Sequence, residues 1–361
     1  MGRSNIEWLA RPGTDPETWN PVTGCSHVSP GCDHCYARHL AQGRLRGRVG
    51  YDQDHPFQVT THRDRLCEPF HWRKPRTCFV VSMGDLFHPL VPWSFVRDIW
   101  DVMEASPKHT FIVCTKRPDR LYWFLTTSGG RLVDGYRPPA PNVWGLVSVE
   151  DQERADQRIH WLLRSPLQVR GLSVEPLLGP VDLSAIPFKG DVPYYLDVLR
   201  GRYSENPERT EIGNIFAHGL ASLRTLDWVI VGGETGKDAR PMRPVWVHNL
   251  LRQCAESHTP FFFKSWGEWG DHYTPFAKRW CVWDQRGDPQ VTKYPYVAKG
   301  WNGQGKVVQS RVTRSRSGHE LGSQVIRQWP TPPQVAAEPE RDGPYGYGQI
   351  KDSRPERLVA V

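Results

Sequence analysis

The stretch Asn142-Val-Trp-Gly-Leu-Val-Ser-Val-Glu150 decides the fold class, because a continuous apolar run here ends in a carboxylate. Such a run is typical of a strand that is buried on both faces, as the strands of parallel sheets are. A second segment, Gly171-Leu-Ser-Val-Glu175, repeats the end of the first. The near repeat predicts two neighbouring strands with equivalent carboxyl ends.

Similar apolar runs recur at the spacing of alternating strands and helices. They begin near residues 77, 110, 142, 168, 227 and 260, and an earlier run near Trp19 is the candidate first strand. Apolar residues recur with helical periodicity between them, over Val91–Ala105, Glu150–Leu163 and Val245–Glu256. The pattern predicts an α/β fold built on a parallel, TIM-like (βα) barrel, complete or partial.

The domain organisation follows from changes in composition along the chain. We expect the barrel to occupy residues 1–270, with a polar, turn-rich surface insertion at about 187–223. Residues 271–330 are expected to form an irregular extension that is aromatic and basic. Residues 331–361 are rich in Pro, Gly and charge, which predicts a disordered tail.

The composition excludes several classes of protein. The 361 residues contain no apolar run near the length of a membrane span, and the charged, non-apolar stretch Met1–Asn20 is not expected to act as a secretory signal. The eight cysteines do not follow the pattern of a secreted disulfide framework. We therefore expect no membrane partner and a location in the reducing cytoplasm.

The net charge of +7 favours an anionic partner, and the basic surplus is concentrated in two segments. Tyr36–Arg76 holds nine Lys or Arg against four Asp or Glu, and Asn302–Pro330 holds five against one. Two interpretations stay open: two solvated basic faces, or phosphate-binding patches if the segments flank the active site.

The cysteine loop Cys25-x6-Cys32-x2-Cys35 is the clearest candidate for chemistry. Three thiolates on one loop can hold three irons of a [4Fe–4S] cluster and leave the fourth iron open to another ligand. The alternative is a structural zinc with the three cysteines and either His27 or His34. Two other cysteines, Cys78 and Cys114, lie inside apolar runs and are interpreted as small core residues.

Polar residues follow each apolar run at the point where the strand should end. Because the carboxyl ends of parallel strands open on one face of a barrel, these residues are expected to meet at one site. Helix caps would explain some of them, but they explain a Lys-Arg pair and three glutamates at matching positions less well. The candidates are Gly84, Asp85, Lys116, Arg117, Ser148, Glu150, Glu175 and Glu234.

The cysteine triplet followed by a βα barrel resembles the radical S-adenosylmethionine superfamily. More narrowly, the chain resembles the phage Gp37/Gp68 protein family over roughly residues 8–301. Blocks that carry this resemblance are Thr18-Trp-Asn-Pro-Val-Thr-Gly-Cys25, Ser82-Met-Gly-Asp-Leu-Phe-His88, Leu172-Ser-Val-Glu-Pro-Leu-Leu-Gly-Pro180, Ala239-Arg-Pro-Met242 and Phe261-Phe-Phe-Lys-Ser-Trp-Gly-Glu-Trp269. The usual superfamily triplet has a first gap of three residues, whereas the first gap here is six.

The resemblance implies a [4Fe–4S] cluster on Cys25, Cys32 and Cys35, and S-adenosylmethionine bound at the open iron. An electron from the cluster would cleave S-adenosylmethionine to methionine and a 5′-deoxyadenosyl radical. Contacts to the bound molecule are implied for three places on the barrel. They are Gly84 and Asp85 for the amino group, Lys116 or Arg117 for the carboxylate, and Ser148 and Glu150 for the ribose.

The function expected from these features is that of an iron–sulfur enzyme of the radical S-adenosylmethionine type. It would act on nucleic acid or a nucleotide, in repair or base modification, with an external electron donor, in a bacterial or phage-infected cell. A radical enzyme with a small-molecule or protein substrate stays open. The alternative from another class is a non-catalytic binding module, stabilised by zinc or a cluster, of a phage or bacterial defence or replication system.

Overall fold

The computed structural model describes residues 4–127, 140–188, 194–204, 213–214, 225–270, 280–283, 289–292, 308–310, 320–321 and 324–331. Seven parallel strands form its central sheet. They are β1 (Asp15–Trp19), β2 (Arg76–Val80), β3 (Thr110–Thr115), β4 (Val143–Ser148), β5 (Val169–Val174), β6 (Trp228–Gly232) and β7 (Phe261–Ser265). Each strand pairs with the next one in the chain, so the sheet order is the sequence order.

Five helices accompany the strands: α1 (Tyr36–Gln42), α2 (Trp93–Glu104), α3 (Pro118–Thr126), α4 (Gln152–Arg164) and α5 (Pro244–Glu256). Helix α4 begins where the Asp151 side chain accepts a hydrogen bond from the backbone N–H of Arg154, a standard N-terminal cap. The three helices expected from periodicity are therefore present, each within about two residues of the expected bounds. No helix in the described ranges combines the length and apolar character that a membrane span requires.

The sheet curls into a half-barrel, and the alternation of side chains along each strand fills both of its faces. In β3, Phe111 and Val113 face the layer of helices, whereas Ile112 faces the barrel interior. The interior floor is apolar and contains four aromatic rings, so we call it the aromatic floor. It consists of Trp8, Leu9, Ile112, Trp144, Leu146, Val169, Trp228, Ile230 and Phe262.

The two edge strands, β1 and β7, are not paired with each other in the described part of the chain. Short segments near the first and the last of the described residues lie at this open side. The indole N–H of Trp329 donates to the carbonyl of Trp8 at 2.8 Å, and the backbone N–H of Phe263 in β7 donates to the carbonyl of Ile326 at 2.9 Å. The architecture of the described residues is a partial barrel, and they do not close into a complete TIM barrel.

The expected surface insertion contains a small antiparallel sheet of four strands. Its strands are Ile186–Phe188, Tyr194–Asp197, Arg202–Ser204 and Gly213–Asn214. Leu196, Val198 and Leu199 are buried in the main core, so this part of the insertion packs firmly on the barrel.

The aromatic and basic extension is only partly described. It contributes a three-stranded antiparallel sheet of Trp280–Trp283, Pro289–Thr292 and Val308–Ser310. Most of the basic segment 302–330 and nearly all of the expected tail, from residue 332 onward, lie outside the described residues.

Candidate functional site

A cavity of about 430 Å³ opens above the aromatic floor at the carboxyl ends of the strands. All of the predicted site residues except Glu150 line this cavity. They are Cys25, Cys32, Cys35, Gly84, Asp85, Lys116, Arg117, Ser148, Glu175 and Glu234. The strand ends and the cysteine loop therefore meet at one cavity, whereas the roles of these residues as ligands or cofactor contacts stay predictions.

The cysteine loop reaches the cavity because its first turn crosses the end of β2. Gly24 has a φ of 83°, and its backbone N–H donates to the carbonyl of Met83 at 2.9 Å. A Cβ atom at this position would lie 2.0 Å from the carbonyl oxygen of Gln58, so only glycine fits. This turn places Cys25 beside the strand ends, and a short 3₁₀ helix (Pro30–Cys32) carries the chain on to Cys35.

The end of β2 is strained at the same place. Val81 has a φ of 67°, a left-handed conformation that a β-branched residue rarely adopts. Its backbone N–H donates to the carbonyl of Trp19 at the end of β1, which helps to hold the turn. The turn delivers Gly84 and Asp85 to the cavity wall. Strain of this kind is concentrated at functional sites.

Arg117 connects this wall to the cysteine loop. Its guanidinium donates to the Asp85 carboxylate at 2.9 Å, to the Ser26 hydroxyl at 3.0 Å and to the Cys25 sulfur at 3.4 Å. Burial, with the nearby Asp85 charge, raises the pKa of the Cys25 thiol to about 11, although Arg117 opposes the shift. Metal ligation would therefore have to release a proton from this thiol, and Arg117 is placed to stabilise the resulting thiolate.

Glu150 lies behind the cavity wall and is fully buried. Its carboxylate accepts hydrogen bonds from Ser29 at 2.7 Å and Arg158 at 2.9 Å, and it pairs with Lys116 at 3.3 Å. Burial opposes the charged forms of Glu150 and Lys116, but the attraction between the opposite charges outweighs it. The pKa of Glu150 is lowered and that of Lys116 is raised. The implied contact of Glu150 with a ribose stays a prediction. In this structure, protein groups already bind both oxygens of its carboxylate.

The cysteine loop rests directly on Glu150. A Cβ atom at Gly31 would lie 2.5 Å from the Glu150 carboxylate oxygen, so the absence of a side chain at residue 31 permits this approach. With the hydrogen bond from Ser29, the carboxylate fixes one side of the loop.

Arg240 fixes the other side of the cysteine loop. Its guanidinium donates to the carbonyl of Pro30 at 2.8 Å and to the Asp33 carboxylate at 3.1 Å, and it also pairs with Glu234. His34 lies 3.0 Å from the same Glu234 carboxylate. Burial alone would raise the pKa of Glu234, but the hydrogen bonds from Arg240 and His34 lower it.

Hydroxyl, thiol and charged side chains line the wall of the cavity at the strand positions that face the barrel interior. Lys264 follows Phe262 by two residues in β7, and its ammonium pairs with Glu175 at 2.7 Å. Cys114 follows Ile112 by two residues in β3, and its sulfur lies 3.4 Å from the Ser148 hydroxyl. Cys78 is fully buried as expected, whereas Cys114 is only partly buried, because it packs against the interior floor and also lines the cavity.

The two histidines of the zinc alternative are oriented toward carboxylates. His27 lies 2.6 Å from Asp33, and His34 lies 3.0 Å from Glu234. Within the described ranges, no group of three or more His, Cys, Asp or Glu side chains converges on one point where a metal ion could bind. A cluster distributes its cysteines over several irons and does not need such convergence.

Arg240 and Lys264 contact the site but are not among the predicted candidates, although both stand in segments that carry the resemblance and Lys264 follows an apolar run. Arg240 belongs to the block Ala239-Arg-Pro-Met242, and Lys264 belongs to the block that begins at Phe261. The alternation of the strand would have placed Lys264 in the interior, whereas nothing in the sequence connects Arg240 to Asp33.

Comparison with known proteins gives one match. The chain belongs to the DUF5131 family. This family is described as a protein of unknown function, and it matches residues 3–330. The match therefore spans the half-barrel, the cysteine loop and the extension. No curated protein and no solved structure matches the chain.

Proposed function

We propose that this chain is an iron–sulfur enzyme of the radical S-adenosylmethionine type that acts on nucleic acid or a nucleotide. The observation that carries the proposal is the meeting of Cys25, Cys32 and Cys35 with the polar strand ends at one cavity. A volume of about 430 Å³ is within the range of small-molecule sites. The likeness to the Gp37/Gp68 and radical S-adenosylmethionine proteins is part of the same proposal.

The residues present fit a cluster with three protein ligands. The three sulfurs line one cavity on a loop that is held from two sides, by Glu150 and by Arg240. The guanidinium of Arg117 provides a hydrogen bond to one sulfur, a contact that tunes the potential of iron–sulfur sites. When bound, the cluster would supply the electron that cleaves S-adenosylmethionine.

The chain's own groups would bind and orient the cofactor around that loop. Asp85 and Arg117 form one ion pair at the wall, and Glu175 and Lys264 form another. Each pair offers an acceptor for an amino group next to a donor for a carboxylate or carbonyl. The aromatic floor below them excludes water from the lower half of the barrel.

Iron analysis of protein purified without oxygen tests the proposal. We expect about four irons per chain in the native protein. Cys32→Ala should abolish iron retention. Cys114→Ala is the matched control, because it removes a thiol from the same cavity but not from the loop, and it should retain the iron. A colourless protein with a single tightly bound zinc would overturn the proposal and favour the non-catalytic module.

Reduction with dithionite in the presence of S-adenosylmethionine tests the chemistry itself. The cluster-loaded protein should release 5′-deoxyadenosine, and the Cys32→Ala variant should release none. A cluster-loaded sample that yields no 5′-deoxyadenosine would retire the radical reaction while leaving the iron–sulfur protein in place.

A further inference from the structure

Four arginines stand next to the cysteine loop with no acidic residue among them. They are Arg38, Arg44, Arg46 and Arg48, and we call them the arginine rim. Helix α1 begins at Tyr36, directly after Cys35, and Tyr36 and Ala37 both line the cavity. The rim therefore continues from the mouth of the cavity along α1 and into the segment that follows it.

The segment of the rim is held against the cysteine loop. The Thr23 hydroxyl donates to the carbonyl of Gly50 at 3.4 Å, and Gly24 packs against the backbone of Gln58. Arg46 donates to the carbonyl of Gln53 at 2.7 Å within the segment. These contacts hold the segment that carries Arg44, Arg46 and Arg48 against the two residues that precede Cys25.

The rim cations are available to a partner, unlike the cations of the cavity. Arg44, Arg46 and Arg48 are exposed, and none of the four rim arginines forms an ion pair within the described part of the chain. In contrast, Lys116, Arg117 and Lys264 are each paired with a carboxylate. The charge at the mouth is therefore unneutralised, whereas the charge inside the cavity is balanced.

Aromatic rings accompany the arginines at the mouth. Tyr36 lines the cavity and yet leaves 48% of its surface exposed. Phe57 also lines the cavity, and the guanidinium of Arg38 lies 5.7 Å from the centre of its ring. Phe57 is only partly exposed, so Tyr36 is the ring that can stack on a base. An exposed aromatic ring next to unpaired arginines is the combination that binds single-stranded nucleic acid, through base stacking and phosphate contacts.

We propose that the arginine rim binds the phosphates of a single-stranded nucleic acid and directs one base past Tyr36 into the cavity. This inference rests on the proposed function, since it names the substrate class of the same site. A base in an intact duplex cannot reach a cavity of this kind, so enzymes that act on bases take single strands or bases turned out of the stack. The same phosphodiester chemistry occurs in DNA and RNA.

The test is a binding titration of the full, cluster-loaded chain without oxygen. Fluorescence anisotropy is measured with a labelled strand of about 20 nucleotides, as DNA, as RNA and as the matching duplex, over a series of salt concentrations. We expect a single strand to bind at least tenfold more tightly than the duplex. The stronger of the DNA and RNA arms identifies the source.

A triple variant measures the share of the rim. Replacement of Arg44, Arg46 and Arg48 by Gln removes three cations, which should weaken binding at least tenfold. It should also reduce the slope of log K against log salt by about 2, at about 0.7 per phosphate contact. The double variant of Arg44 and Arg48 leaves the Arg46 contact with Gln53 intact, and its slope should fall by about 1.4.

The matched control removes the same charge at the opposite end of the barrel. Arg73 and Lys74 precede β2 and Lys108 precedes β3, and all three are exposed. Their triple replacement by Gln should leave the affinity within about twofold. Equal losses in both triple variants would show a general charge effect and overturn the proposal.

Two further results would overturn it: equal binding of duplex and single strand, and a salt slope that the rim variants leave unchanged. A strand that lacks its central bases should bind about tenfold more weakly if stacking contributes, and equal binding would remove Tyr36 from the proposal. Iron content and 5′-deoxyadenosine release are measured on the same samples. If binding fails while both persist, the docking surface is wrong and the proposed reaction stands.

Discussion

Glu150 offers the sharpest test of how the site is held together. Its carboxylate is fully buried and serves Ser29, Arg158 and Lys116 at once. Replacement by Gln keeps the shape but removes the negative charge, and it leaves two buried or nearly buried cations without their counter-ion. Breaking a buried pair from one side costs about 3–5 kcal/mol. Because Gln retains one or two hydrogen bonds, we expect about 3 kcal/mol.

Urea unfolding followed by tryptophan fluorescence measures this cost. With a slope on the order of 3 kcal/mol per M, the midpoint of Glu150→Gln should fall by about 1 M. The control is Glu153→Gln on the first turn of the same helix, where the side chain is 62% exposed. An exposed pair contributes little, so its midpoint should move by less than about 0.2 M.

A double-mutant cycle with Arg158→Met separates the pair from other effects. The double variant removes both charges together, so it should be at least about 1 kcal/mol more stable than the sum of the single losses implies. Strict additivity, or a Glu150→Gln protein as stable as the control, would refute the reasoning. Iron retention should fall in parallel, because the cysteine loop rests on this carboxylate.

Three further outcomes follow from other parts of the structure. Gly31→Ala places a methyl group 2.5 Å from the Glu150 oxygen, so iron content should drop while the far-ultraviolet circular dichroism stays native, and full iron retention would contradict the contact. Trp8→Ala removes a floor residue whose ring lies 5.1 Å from that of Phe79, and we expect a loss of about 3–5 kcal/mol by urea unfolding; a loss below about 1 kcal/mol would mean that the floor is not packed there. Burial depresses the pKa of His109 to about 4, below the usual 6.5, so the unfolded chain binds the proton more readily than the folded one. The free energy of unfolding should therefore fall as the pH drops from about 6.5 to about 4. Between pH 7 and pH 5, the wild type should lose up to about 2 kcal/mol more of its free energy of unfolding than His109→Gln does. Parallel pH profiles of the two proteins would contradict the burial argument.

Strand positions could be predicted from the sequence, because fully buried strands read as continuous apolar runs. The runs beginning near 110 and 227 correspond to β3 and β6 to within one residue. The same runs hide which face is which. Cys114 stands in an apolar context, and only the curl of the sheet shows that its side of β3 meets the cavity.

The ion pairs of the site could not be predicted, because they join residues far apart in the chain. Arg240 reaches Asp33 only because a curled sheet brings its last strands back to the loop after its first, and Lys264 in β7 reaches Glu175 at the end of β5 across the intervening strand β6. For Glu150, the sequence indicates the position but not the surroundings. Its place at a strand end indicates the site, but its complete burial by Ser29, Lys116 and Arg158 is a property of packing.

The open side between β1 and β7 has a practical consequence for anyone who shortens this polypeptide. The gap is bridged by side chains and single backbone contacts from residues near both ends of the described chain, with Trp8 and Trp329 joined directly. A fragment that ends at about residue 320 would retain every strand of the central sheet. It would lose the contact of Trp329 with Trp8, and the edge of β7 would lose its hydrogen bond to Ile326.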